Sequence, residues 1–320
     1  MKKLKLRQSL LLLLTAVIWG VAFVAQSAGM EYVGPFTFNA VRSVIGGIVL
    51  IPCIFILRKI NTAEETGKPD RQNSDVNYSD EATGDNSGIK DANKSRSLLL
   101  TGGVICGIIL CVASTLQQVG IKYTTVGKAG FVTALYIIIV PILSIFLHKK
   151  AGFKVWLGVV IAVIGFYLLC ISENLVLEVG DLLVLLCAFG FSLHIMAVDY
   201  FAPKVDGVKM SCIQFFVCGL LCSVLMFLFE SPDTGLILAA WKPILYAGVL
   251  SCGVAYTLQI IGQRGMNPTI ASLIMSLESV ISALAGWVIL NQRLSLKEMC
   301  GCALVFAAII IAQLPQKKGA

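Results

Sequence analysis

Apolar positions gather into long runs separated by short polar breaks, where a helix with one face in water would repeat every 3.6 residues and a half-exposed strand every two. An α-helix needs about 20 mostly apolar residues to cross a bilayer. Ten segments qualify: 9–29, 36–57, 98–120, 129–147, 154–172, 181–200, 208–229, 243–263, 269–290 and 298–314. The pattern predicts an all-α polytopic membrane protein with ten transmembrane helices. The first run follows the basic stretch Met1–Arg7 and ends in the small-residue segment Ala25–Ala28, which resembles a signal peptide. The charge-free stretch Gln8–Met30 is longer than the core of such a signal, so a retained helix is expected.

Composition strengthens this reading. Of 320 residues, 57% are hydrophobic and 13% charged, against about 25% charged in a soluble globular protein. Mean hydropathy is +0.86. The charges cluster, with 13 of the 43 Asp, Glu, Lys and Arg residues lying between Ile60 and Ser97. That stretch is rich in Asn, Ser, Gly and Asp and cannot bury enough surface to offset its ordering entropy. Residues 58–97 are therefore expected to form a disordered cytoplasmic linker between the second and third helices.

The net charge of +7 does not indicate nucleic acid, because the basic residues flank apolar runs and form no arm or stripe. With the N-terminus inside, 19 of the 25 Lys and Arg residues fall on inner segments, five on outer ones and Arg42 within a span. The excess of inner positive charge predicts a multi-pass protein of the cell membrane with both termini cytoplasmic. The 11 Cys lie mostly within apolar runs, no CxxC occurs, and there are two His. All 11 Cys are read as small apolar packing residues, with no metal and no cofactor expected.

The chain also contains itself twice. At an offset of 142, Gln117 meets Gln259, Gly120 meets Gly262, Lys122 meets Arg264, Ala129 meets Ala271 and Leu135 meets Leu277. One residue later in register, Gly158 meets Gly301. Earlier in the chain the offset is 172, pairing Ala16 with Ala188, Ala25 with Ala197 and Gly47 with Gly219. The difference of 30 matches an insertion at the hydrophilic segment. The first repeat then comprises 1–57 (helices 1–2) and 98–173 (helices 3–5), and the second 174–320 (helices 6–10). An odd number of spans per copy makes the second copy enter the membrane from the opposite side. Inverted repeats place a site near the midplane between the halves and permit alternating access.

Several segments resemble the EamA-like family of the drug/metabolite transporter superfamily. They are Leu135-Tyr136-Ile137-Ile138-Ile139-Val140-Pro141, Ser276-Leu277-Glu278-Ser279-Val280 with Gly286-Trp287, Ala255-Tyr256-Thr257-Leu258-Gln259 and Leu14-Thr15-Ala16-Val17-Ile18-Trp19-Gly20. The resemblance covers both repeats. It implies ten helices with inverted pseudo-symmetry around a central cavity, and export of amino acids, metabolites or drugs. The chain departs from the family pattern in two places. Ser279 follows Glu278 where Pro is usual, and Gln292 stands near the end of the ninth helix where Glu is usual, with Lys149 at the corresponding position of the first repeat.

Charged side chains inside a span are costly, at about 2.5–3.5 kcal/mol near the centre, so each is a site candidate. Arg42 lies seven positions into the second span and Glu278 at the middle of the ninth. The repeat pairs Arg42 with Gln214 and Glu278 with Tyr136, so the four are expected to converge from both halves. Snorkelling of Arg42 and a structural hydrogen bond for Glu278 are the competing readings. Gln117, Gln118, Tyr256 and Gln259 offer further donors and acceptors, with interhelical hydrogen bonds as their alternative. The single His194 of the sixth span is read as a packed side chain.

No Gx4GK[ST] phosphate cradle, HExxH or GxSxG occurs, so neither ATP hydrolysis nor enzymatic catalysis is expected. The sequence points to a secondary transporter exporting a small metabolite, amino acid or drug-like compound. The alternative is a membrane-embedded enzyme or sensor that binds a lipid headgroup or small polar ligand. Expected partners are a small-molecule substrate and the lipid bilayer, with a homodimer left open and no nucleic acid.

Overall fold

A computed structural model describes residues 2–66, 86–124, 126–147, 152–170, 179–290 and 295–313, and no strand occurs among them. The helices are α1 (Lys2–Gly29), α2 (Pro35–Thr66), α3 (Asn86–Ile121), α4 (Val126–Ala134), α5 (Tyr136–Phe146), α6 (Phe153–Cys170), α7 (Val179–Phe201) and α8 (Gly207–Phe229). They continue as α9 (Thr234–Ala239), α10 (Trp241–Leu245), a π-helical segment (Tyr246–Ala255), α11 (Tyr256–Gln263), α12 (Pro268–Met275), α13 (Glu278–Leu290) and α14 (Leu296–Gln313).

Among the described residues, eight helical stretches are long and apolar enough to cross a membrane, two fewer than the ten segments expected. The apolar stretches of the fifth and tenth segments, Phe153–Gly165 and Met299–Ile311, fall short of that length. Many large apolar side chains face outward, among them Phe55, Phe146, Leu220, Phe227 and Val288. Such a surface is stable only against lipid. This is a multi-pass membrane protein.

The polar segment 58–97 is narrower than expected as a break, since α2 runs on to Thr66 and α3 begins at Asn86. The backbone of both flanks closes its hydrogen bonds within the helix. The remainder of that segment, like Lys149 and Gln292, lies outside the described residues. Helix starts follow local chemistry. The Asp206 carboxylate accepts from the N–H groups of Val208 and Lys209 at the start of α8, and Asn267 accepts from Thr269 N–H before Pro268 opens α12. Asp233 does the same for α9, a short helix that the apolar pattern did not announce.

The main packed pairs are α6 with α14, α2 with α8, α3 with α7 and α8, and α1 with α13. Glycines mark the closest approaches, and these fall in matched sets. A Cβ on Gly47 would strike Phe216 and one on Gly219 would strike Val44, two contacts exchanged by the 172-residue offset. Gly120 lies against Val184 and the carbonyl of Gly180, while Gly262 lies against Leu12 and the carbonyl of Gln8. Each partner of Gly262 is the repeat equivalent of a partner of Gly120.

The π segment has a counterpart in this register. Gly107 packs on Val217 and the carbonyl of Gln214, and Gly248 packs on Ile45 and the carbonyl of Arg42. These partners are again 172 apart, but the glycines are 141 apart, whereas beyond the π segment the offset is 142. The offset thus grows by one residue across the segment where the helix widens to π geometry.

Candidate functional site

The fourth and ninth spans do not run as uninterrupted α-helices. Each tightens for one turn, at Leu135 and at Ser276-Leu277, before resuming at Tyr136 and Glu278. The Leu135 N–H donates to the carbonyl of Val132, three residues back, and the Leu277 N–H to that of Ile274. Both turns are of 3₁₀ type and lie 142 positions apart in the chain. Each re-aims the side chain that follows it.

Glu278 is held from two sides. A Cβ on Gly20 would lie 2.7 Å from the Glu278 carbonyl, so only glycine in α1 allows this approach. The Ser279 hydroxyl donates to the carbonyl of Gly130 in α4 at 2.8 Å. The residue found where the family commonly has Pro thereby ties α13 to the other half of the chain.

These elements border a cavity that opens to the surroundings, with about 470 Å³ of unfilled space when the open part is included. Six of the eight sequence candidates line it: Arg42, Gln117, Tyr136, Tyr256, Gln259 and Glu278. Gln118 does not; its Nε2 donates to the Gln26 carbonyl at 3.3 Å. Gln214 does not either, and its Oε1 lies 3.1 Å from Nε2 of His194. Both side chains reach a neighbouring helix, the alternative read above for Gln118 and not for Gln214.

His194 itself borders the cavity, as do Trp19, Gln26, Thr133 and Ser251. Sequence reasoning placed His194 in packing, and half of that is correct, because one ring nitrogen is engaged by Gln214. The other, Nδ1, is buried without a partner. Trp19 lies in a segment quoted for its family resemblance, which was the available signal. Nothing in the local pattern marked Ser251.

The lining has distinct chemical sides. Tyr256 is the hub of an aromatic wall, with ring centroids 4.6 Å from Trp19, 5.3 Å from Phe215 and 5.8 Å from His194. Arg42 makes no ion pair among the described residues; its guanidinium lies 5.6 Å from the centroid of the Phe38 ring. Gln117 donates to the Thr133 hydroxyl at 3.2 Å. Six buried atoms of lining residues have no hydrogen-bond partner: Trp19 Nε1, Gln26 Oε1, Tyr136 OH, His194 Nδ1, Gln259 Oε1 and Glu278 Oε1. Leaving a buried polar group unpaired costs about 1–3 kcal/mol. A concentration of them around one cavity is the arrangement a polar guest or water would complete.

Comparison with known proteins agrees with this architecture. The profile of the EamA-like transporter family matches residues 6–171 and, a second time, 178–313. An uncharacterised transporter of Archaeoglobus fulgidus is 27% identical over 304 residues, covering 95% of this chain and 84% of that protein. An uncharacterised transporter of Bacillus subtilis is 22% identical over 303 residues, covering 92% of each. One solved crystal structure superposes with a TM-score of 0.70 at 18% identity, covering 96% of both chains, and shares the fold.

Proposed function

The chain belongs to the EamA-like transporter family, and from that premise we propose that it is a secondary transporter exporting a small polar metabolite, amino acid or drug-like compound by alternating access. The observation that carries this reading is the position and chemistry of the cavity. It draws Tyr136 from one repeat and Glu278 from the equivalent position of the other, and its wall concentrates unpartnered polar atoms. A site on the pseudo-symmetry axis can be presented to either side when the two halves exchange conformations.

Three features support an inverted repeat within this proposal. The family profile matches twice, the glycine contacts exchange under the repeat offset, and the 3₁₀ turns recur at equivalent positions. α6 and α14 are repeat equivalents that pack along one another. Counting them brings the spans to ten, with both termini on the cytoplasmic side of the cell membrane. Arg42 then offers a positive charge and Glu278 a carboxyl group to a guest, and the aromatic wall of Trp19 and Tyr256 offers it an apolar face.

Counterflow tests the proposal. The purified chain is screened for thermal stabilisation by amino acids, amines and dyes, reconstituted in liposomes loaded with the best stabiliser, and exposed to trace labelled compound outside. The expected result is transient accumulation of intact label. Label that is chemically altered, or that fails to accumulate with any stabilising compound, overturns it.

A further inference from the structure

A second cluster of reactive side chains lies apart from the residues that line the cavity. Cys111 of α3 and Cys218 and Cys222 of α8 bring their Sγ atoms within 4.8 Å of one another. The Cys111–Cys222 separation is 3.6 Å and the Cys218–Cys222 separation 4.0 Å. All three are buried free thiols within apolar spans. Cys218 and Cys222 are one helical turn apart and so share a face, and Cys111 closes the triangle from the neighbouring helix.

Three sulfurs around one central atom with bonds of ~2.3 Å, the length of a zinc–thiolate bond, stand about 3.5–4.0 Å apart, depending on whether the centre is pyramidal or planar. The Cys111–Cys222 and Cys218–Cys222 separations lie in that range, and the Cys111–Cys218 separation lies within 4.8 Å. Hydroxyl groups surround the sulfurs. Ser43 Oγ is 3.5 Å and Ser114 Oγ 4.0 Å from Cys218 Sγ, and Thr115 Oγ1 is 3.8 Å from Cys222 Sγ. Such groups orient ligand sulfurs from outside the coordination sphere. The cluster packs in the same apolar core as Trp19, Phe191 and Tyr256, so the cavity lies beside it.

We propose that Cys111, Cys218 and Cys222 form an intramembrane site for a trivalent thiophilic metalloid, arsenic(III) or antimony(III), held by three sulfurs. Charge selects this class. A divalent or monovalent soft cation on three thiolates leaves net negative charge in the interior, which is costly unless the nearby Arg42 offsets it. Arsenous acid instead condenses with the thiols as a neutral molecule. At each cysteine an S–H and an As–O bond break, an As–S bond forms, and the thiol proton leaves with the hydroxide as water. Three waters are released, the oxidation state is unchanged, and the product is neutral. Ligation would also bridge α3 to α8.

The test uses the full chain in detergent, reduced and then freed of thiol reagents. It is incubated with sodium arsenite, with cadmium chloride in parallel, and passed through gel filtration before bound element is measured. One arsenic per chain, three sulfur neighbours by X-ray absorption, a rise in unfolding temperature and no retained cadmium are expected. Cys218→Ala and Cys111→Ala should each retain at least tenfold less arsenic, and Cys106→Ala, on α3 outside the cluster, should retain as much as the parent. The absorption spectrum of the unsubstituted protein decides even where a variant folds poorly. No retained arsenic, arsenic with two sulfur neighbours, preferential retention of cadmium, or full retention by Cys218→Ala overturns the proposal.

Discussion

Tyr136 and Glu278 each begin a helix that resumes after a 3₁₀ turn, 142 positions apart in the chain, and each buries an unpartnered oxygen at the wall of the same cavity. The 142-residue offset thus pairs a phenol with a carboxyl group, each following the same kind of turn. In the alternating-access cycle proposed above, the Glu278 carboxyl, like the His194 ring beside the same cavity, is a group able to bind and release a proton.

Glu278→Gln keeps size and hydrogen bonding but removes the ionisable proton. In proteoliposomes the variant should retain substrate exchange within about threefold while losing accumulation driven by a pH gradient at least tenfold. Uphill transport equal to the parent would reduce Glu278 to a structural hydrogen-bond partner.

Arg42 lacks an ion pair among the described residues, so its charge is available to a guest. Arg42→Gln should leave the unfolding temperature within a few degrees of the parent and weaken stabilisation by carboxylate-bearing ligands at least tenfold. Groups that do not interact contribute additively. The Arg42→Gln/Glu278→Gln double variant should therefore show the sum of the two single binding defects. A double variant no worse than either single one would reveal a pairing that this conformation lacks.

Gly107→Ala would place a Cβ 2.7 Å from Val217 Cβ and 2.8 Å from the Gln214 carbonyl. Overpacking against backbone costs about 1–3 kcal/mol, so thermal unfolding in detergent should move clearly downward. At Gly127 a Cβ meets nothing within 4 Å. Gly127→Ala should be neutral or slightly stabilising, and equal effects at the two sites would discredit the packing described for α3 and α8.

Glu230, at the end of α8, caps α2. Its carboxylate accepts from Phe36 N–H at 3.0 Å, Thr37 N–H at 2.8 Å and the Thr37 hydroxyl at 2.6 Å. Glu230→Ala should cost about 1–2 kcal/mol, read as a lower unfolding temperature. Ligand stabilisation should be unchanged, because Glu230 does not line the cavity.

Orientation is open to direct measurement. Reporters active only in the cytoplasm should work when fused after Leu57 and fail when fused after Ser231. The reverse pattern at both positions would overturn the cytoplasmic placement of the termini, and an equal response at both would exclude the inverted arrangement proposed for the repeats.

The membrane environment and eight of the ten expected spans were legible in the residues alone. A bilayer imposes a one-dimensional rule on a chain, that each crossing be long, apolar and hydrogen-bonded to itself, and such a rule is written in consecutive residues. The charged candidates Arg42 and Glu278 stood out for the same reason, since the lipid interior makes any ionisable group conspicuous. Which face each helix turns inward is a different matter. Gln117 and Gln118 are adjacent and chemically identical, yet one lines the cavity and the other binds the Gln26 carbonyl. A helix turns about 100° per residue, so only its packing against neighbours decides which is which. The same packing brought His194 to the cavity wall and drew Cys111 to Cys218 and Cys222, residues more than 100 positions apart in the chain. In a uniformly apolar span no polar stripe records orientation. Those juxtapositions exist only once α3, α7 and α8 have packed against one another.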